Sequence, residues 1–183
     1  MSGIYTDENG NYQIDLSRAI CSTDSLHTKY QSIGNILSDV DWIAETADTV
    51  ILIEFKNYAT RERFPQGDDL GKLYQKIQKK YYGSVFYLLA CGNNKLIDFV
   101  WVVESPHLDT VLRKRYFERI QKNLPFRFQR KPEIVVNLIN TFGVLSVAEW
   151  NTNTDSKLKH IINPIAASDT FENAGRKRIK RNT

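Results

Sequence analysis

Ser38-Asp39-Val40-Asp41-Trp42-Ile43-Ala44-Glu45, followed by Thr46-Ala47-Asp48-Thr49 and then Val50-Ile51-Leu52-Ile53-Glu54-Phe55-Lys56, is the stretch on which the fold turns. Two apolar, β-branched runs flank a short polar turn, the pattern of a β-hairpin. Both runs carry charges in their interiors, and a buried charge is costly without a partner. A symmetric turn makes the numbers of antiparallel partners sum to 95, so Ile43 faces Leu52, Asp41 faces Glu54 and Asp39 faces Lys56. Directly opposed like charges destabilise a hairpin. The register therefore requires something cationic between Asp41 and Glu54. A hard divalent cation such as Mg²⁺ or Mn²⁺, which takes carboxylate oxygens, meets that requirement. Lys56 lies two residues beyond Glu54, on the same face of its strand.

An acid on one strand, a short loop and an apolar run ending in Glu54-Phe55-Lys56 resembles the signature of the PD-(D/E)XK nuclease superfamily. The resemblance covers roughly residues 25–103. Val40 stands where the superfamily's proline would be, and segment 22–37 offers only Asp24 in place of the glutamate often found on its first helix. The resemblance implies a restriction-endonuclease-like α/β core, a mixed central β-sheet flanked by helices. It also implies a Mg²⁺- or Mn²⁺-dependent nuclease acting on DNA in preference to RNA. Asp41, Glu54 and the Phe55 carbonyl would hold the metal, and Lys56 would assist the attacking water. A similar glutamine–tyrosine spacing occurs in the superfamily's RecB-like branch, which adds Gln78 (with Tyr82) as a further catalytic candidate. A plainer reading is a half-solvated edge hairpin with an Asp39–Lys56 cross-strand pair. A second D/E-x-K, Asp155-Ser156-Lys157, falls in a Thr/Asn/Ser-rich loop.

Around this hairpin, charge divides unevenly. The net charge is +4, yet residues 1–54 hold nine acids against two basic residues. Between Arg113 and Lys131 eight basic residues accompany one acid, Glu118, and five more lie between Arg176 and Arg181. Such surfaces attract a phosphate backbone. Lys76, Lys79, Lys80, Arg113, Lys114, Arg115, Arg119, Arg127 and Arg130 are therefore the candidate nucleic-acid contacts. The alternative is a non-catalytic nucleic-acid-binding or protein-interaction module on the same fold. A homodimer is compatible with double-strand cutting.

Residues 1–170 read as one domain and 171–183 as a basic, disordered tail. Residues 3–16 read as a hairpin about Asn9-Gly10. Leu26, Tyr30, Ile33 and Leu37 share a helical face. The next helix is expected from Asp68-Asp69 to about Tyr82, stopped by Gly83, with strands at Ser84–Ala90 and Leu96–Val103 and a basic helix near Leu108–Asn123. Between Pro125 and Pro132, Phe126, Arg127 and Phe128 read as satellite core before base-stacking groups.

No apolar run approaches the ~20 residues of a membrane span, and no basic–apolar leader opens the sequence. Cys21 and Cys91 are read as reduced packing residues, which suits the cytoplasm. His27, His107 and His160 lack zinc spacing. Phosphate-loop, dinucleotide-binding, serine-hydrolase and zinc-protease motifs are absent.

Overall fold

The computed structural model describes residues 3–30, 37–152 and 161–165. It contains a five-stranded mixed sheet and a three-stranded antiparallel one. The larger sheet is built from β3 (Cys21–Thr23), β4 (Trp42–Glu45), β5 (Thr49–Asn57), β6 (Leu96–Glu104) and β7 (Thr141–Leu145), in that spatial order. The smaller runs β1 (Ile4–Thr6), β2 (Tyr12–Asp15), β8 (Ile161–Pro164). The helices are α1 (Leu26–Tyr30), α2 (Gly67–Ala90), α3 (Thr110–Gln121) and α4 (Val147–Thr152).

β4 and β5 pair antiparallel in the register expected from the turn: Trp42 with Ile53, Ile43 with Leu52, Glu45 with Val50. The turn is held locally, since Thr46 N–H donates to the Thr49 carbonyl and Thr49 N–H to Thr46 Oγ1. β5 then runs parallel to β6, and β6 to β7, through the α2 and α3 crossovers that parallel neighbours require.

Alternation along β5 sorts its side chains between two cores. Val50 and Leu52 join Ile43, Phe99 and Trp101 beneath Leu73, Ile77 and Tyr81 of α2 and Tyr116 and Ile120 of α3. Ile53 and Phe55 join Trp42, Val102, Ile14, Ile162 and Trp150 on the opposite face, against the small sheet and α4. The five-stranded sheet is thus buried on both sides, and Glu54 shares the α2 side with Leu52.

Two expectations are corrected. Gly83 does not stop α2, which continues unbroken to Ala90, so the strand expected at Ser84–Ala90 is helix. A Cβ at position 83 would overlap the Ser38 carbonyl oxygen, so glycine there permits close approach of helix to chain. The helix is ended instead by Gly92, at φ 77°. Cys21 and Cys91 are exposed free thiols and not packing residues.

The N-terminal hairpin forms as expected, with Gly10 at φ 71°. The basic helix forms as α3, capped by Asp109 accepting from Leu112 N–H. Ile33, the Asp155-Ser156-Lys157 tripeptide and residues 171–183 lie outside the described residues. Among the described residues, no helix is long and apolar enough to cross a membrane.

Candidate functional site

Asp41 immediately precedes β4, and its carboxylate, by accepting from Phe55 N–H at 2.8 Å, continues the ladder that the strand has left. The backbone leading to it is anchored against α2. Val40 N–H donates to the fully buried Ser84 hydroxyl, while Gly83 lets the helix sit against Ser38. Two adjacent helix residues thus hold the approach to Asp41 in place.

Asp41 and Glu54 meet two lysines. Lys80 Nζ lies 2.6 Å from Asp41 Oδ1 and 2.8 Å from Glu54 Oε2. Lys56 Nζ faces the other oxygens, 3.4 Å from Asp41 Oδ2 and 2.9 Å from Glu54 Oε1, and donates to the Phe55 carbonyl at 3.0 Å. Each ammonium bridges both carboxylates, so the cluster balances two charges against two. Glu54 is wholly inaccessible to solvent. Among the described residues its Oε1 receives no hydrogen bond, because Lys56 approaches outside hydrogen-bond geometry.

Burial acts on all four groups, and their neighbours decide the outcome. Burial would raise Asp41, but Lys56, Lys80 and the Phe55 amide hold it below the ordinary carboxylate range. Burial and then the charge of Asp41 push Glu54 up, against the pull of both lysines. For Lys56 and Lys80 burial disfavours the cation, yet Glu54 and Asp41 raise both. Both amines therefore stay protonated at neutral pH, and neither is available as a general base.

Asp41, Lys56 and Lys80 line a cavity of about 750 Å³, which Glu54 does not reach. Asp7, Glu8 and Asn9 of the β1–β2 turn, Asp24, Asp39, Arg61 and Lys76 complete its wall. Asp39 precedes β4 and so does not extend the ladder opposite Lys56. Lys80, expected to contact nucleic acid from the surface, is buried inside the cluster. Gln78 is two residues from Lys80 along α2, about 200° around the helix, and does not line the cavity.

The remaining basic candidates are scattered. Lys76 is at the rim. Arg113 pairs with Glu149 at 2.7 Å and donates to the Leu108 carbonyl, tying α3 to α4. Lys114, Arg115, Arg119 and Arg130 are exposed and apart from the cavity, while Lys79 and Arg127 line a second groove. Arg61, absent from the sequence candidates, stands over the Tyr58 ring at 5.0 Å, and its carbonyl lies 3.1 Å from His107 Nε2. Its one advance signal is its place in the polar loop directly after β5.

No group of three or more His, Cys, Asp or Glu side chains suited to a metal occurs among the described residues. The oxygens that converge on Lys56 Nζ are nevertheless those of Asp41, Glu54 and the Phe55 carbonyl. An all-oxygen donor set suits a hard cation, and Mg²⁺ commonly uses only one or two carboxylates, keeping several waters. By donor chemistry, and by the undonated Oε1, these residues fit such an ion. Comparison with protein-family models, curated proteins and solved structures finds no match.

Proposed function

We propose that this chain is a Mg²⁺- or Mn²⁺-dependent nuclease hydrolysing phosphodiester bonds, with DNA preferred to RNA, on a restriction-endonuclease-like core. The observation that carries the reading is the convergence of the Asp41 and Glu54 carboxylates and the Phe55 carbonyl on one cationic position, at the floor of an open polar cavity. A bound ion would polarise the scissile phosphate and lower the pKa of a water. Asp41, Glu54 and Phe55 would hold it. Lys56, kept protonated by its acidic neighbours, stabilises negative charge developing on phosphate oxygens. Lys80 holds the carboxylates together from the helix side. Arg61 and Lys76 at the rim attract the nucleic-acid backbone.

Nicking of supercoiled plasmid and cutting of linear duplex in Mg²⁺, Mn²⁺ and EDTA tests the reading. Wild type should cut only with metal, Asp41→Ala and Glu54→Gln should be inactive, and Lys56→Ala should be slowed by at least about 10²-fold. Equal cleavage by wild type and Asp41→Ala would overturn it.

Lys80 supports a second reading. Two ammonium groups already neutralise the carboxylates, as expected of a structural ion-pair cluster in a non-catalytic binding module. Calorimetric titration with Mn²⁺ separates the two. Binding heat that Asp41→Ala abolishes supports the nuclease, and no heat in wild type supports the module.

A further inference from the structure

A second groove, of about 890 Å³, lies between α2 and the segment following α3. Among the described residues the exposed aromatic side chains are Tyr82, Phe86 and Phe128, and all three line this groove. Tyr82 is held in place by its hydroxyl, which donates to the Asn123 carbonyl at 2.7 Å. Lys79, Lys122 and Arg127 share the lining, no acidic side chain does, and Lys131 stands over the Phe128 ring. A second copy docking groove to groove would bring like charges together. An occupant must instead be anionic and offer flat apolar faces, as unpaired nucleobases on a phosphate backbone do.

The groove also adjoins the carboxylate cavity. Leu37 lines the groove while Ser38 and Asp39 line the cavity, and Lys79 and Lys80 divide in the same way. We propose that this groove is a single-strand binding track, on which Tyr82, Phe86 and Phe128 stack successive bases and deliver an unpaired strand to Asp41 and Glu54. The choice of occupant rests on the nuclease reading, but the binding itself does not require cleavage.

Fluorescence anisotropy of labelled oligothymidine, its RNA counterpart and a duplex of equal length, all in EDTA, tests the track. Wild type and Asp41→Ala should bind the single strands more tightly than the duplex. Phe86→Ala and Phe128→Ala should each weaken single-strand binding about tenfold, with duplex binding unchanged, and Phe86→Trp should restore it. Both aromatic positions are exposed, and unchanged circular dichroism confirms that the variants are folded. Single-strand affinity unchanged in the Phe86→Ala/Phe128→Ala double variant would overturn the proposal. So would no preference over duplex, or occupation by an acidic amphipathic peptide without oligonucleotide binding. Metal-dependent cleavage alongside such a failure would leave the nuclease standing without the track, while tight single-strand binding without metal heat would do the reverse.

Discussion

Replacing Lys80 by methionine keeps the aliphatic stem and removes the ammonium that sits 2.6 Å from Asp41 and 2.8 Å from Glu54. At an effective dielectric of about 20, each contact is worth roughly 6 kcal/mol before desolvation. Desolvation cancels much of that, because the Lys80 side chain is only 9% exposed and Glu54 is not exposed at all. What the substitution leaves is two facing carboxylates with Lys56 alone to neutralise them. Removing one partner of a buried ion pair costs about 3–5 kcal/mol. Urea denaturation should therefore show a midpoint lowered by about 2 M for a slope near 2 kcal/mol/M, and the melting temperature should fall by about 10 °C. Millimolar Mn²⁺ should restore more stability to Lys80→Met than it adds to wild type, since an ion can then occupy the vacated charge position. A loss below about 1 kcal/mol, the worth of an exposed pair, would refute the bridging role. The reasoning about the cluster would fall with it.

Four other outcomes follow from the structure. The raised Glu54 favours the folded state at low pH and costs stability as pH rises through its folded value, so Lys80→Met should gain stability as pH falls from neutral toward the ordinary carboxylate value of about 4.3; a flat profile by urea titration would contradict this. The lowered Asp41 acts oppositely: its stabilisation is present above the ordinary value near 3.9 and is lost as pH falls through its folded value, so wild type should weaken in strong acid. Gly83→Ala, although alanine is the better helix former by about 1 kcal/mol, should destabilise by about 3 kcal/mol through collision with Ser38, measurable by thermal melting. Asp109→Ala should cost about 1 kcal/mol by removing the acceptor for Leu112 N–H, seen as faster amide exchange in the first turn of α3.

The hairpin is legible because three local signals agree: a four-residue turn, apolar β-branched runs on either side of it and two facing carboxylates. Together they specify a register that a one-residue slip would invert. The mixed sheet follows from the same run, since β5 needs an antiparallel partner before it and a crossover after it. The second half of α2 was not legible, because a glycine placed for close packing against Ser38 looks in one dimension like a helix stop. Lys80 is disguised for a related reason. It falls between Ile77 and Tyr81 on the buried stripe, and that spacing does mark it as inward-facing, but the neighbouring Lys76 and Lys79 suggest a solvated face. The β2–β8 pairing joins segments far apart in sequence and left no local trace.

That pairing also bears on the order in which the protein assembles. β2 borders the turn carrying Asp7, Glu8 and Asn9, which walls the carboxylate cavity, and its other edge is satisfied only by residues 161–164. Closing so long a loop is slow relative to forming neighbouring hairpins. During synthesis, β4, β5 and α2 can bring Asp41, Glu54, Lys56 and Lys80 together before β8 has left the ribosome. The pairing that braces this wall therefore needs residues translated long after those of the cluster.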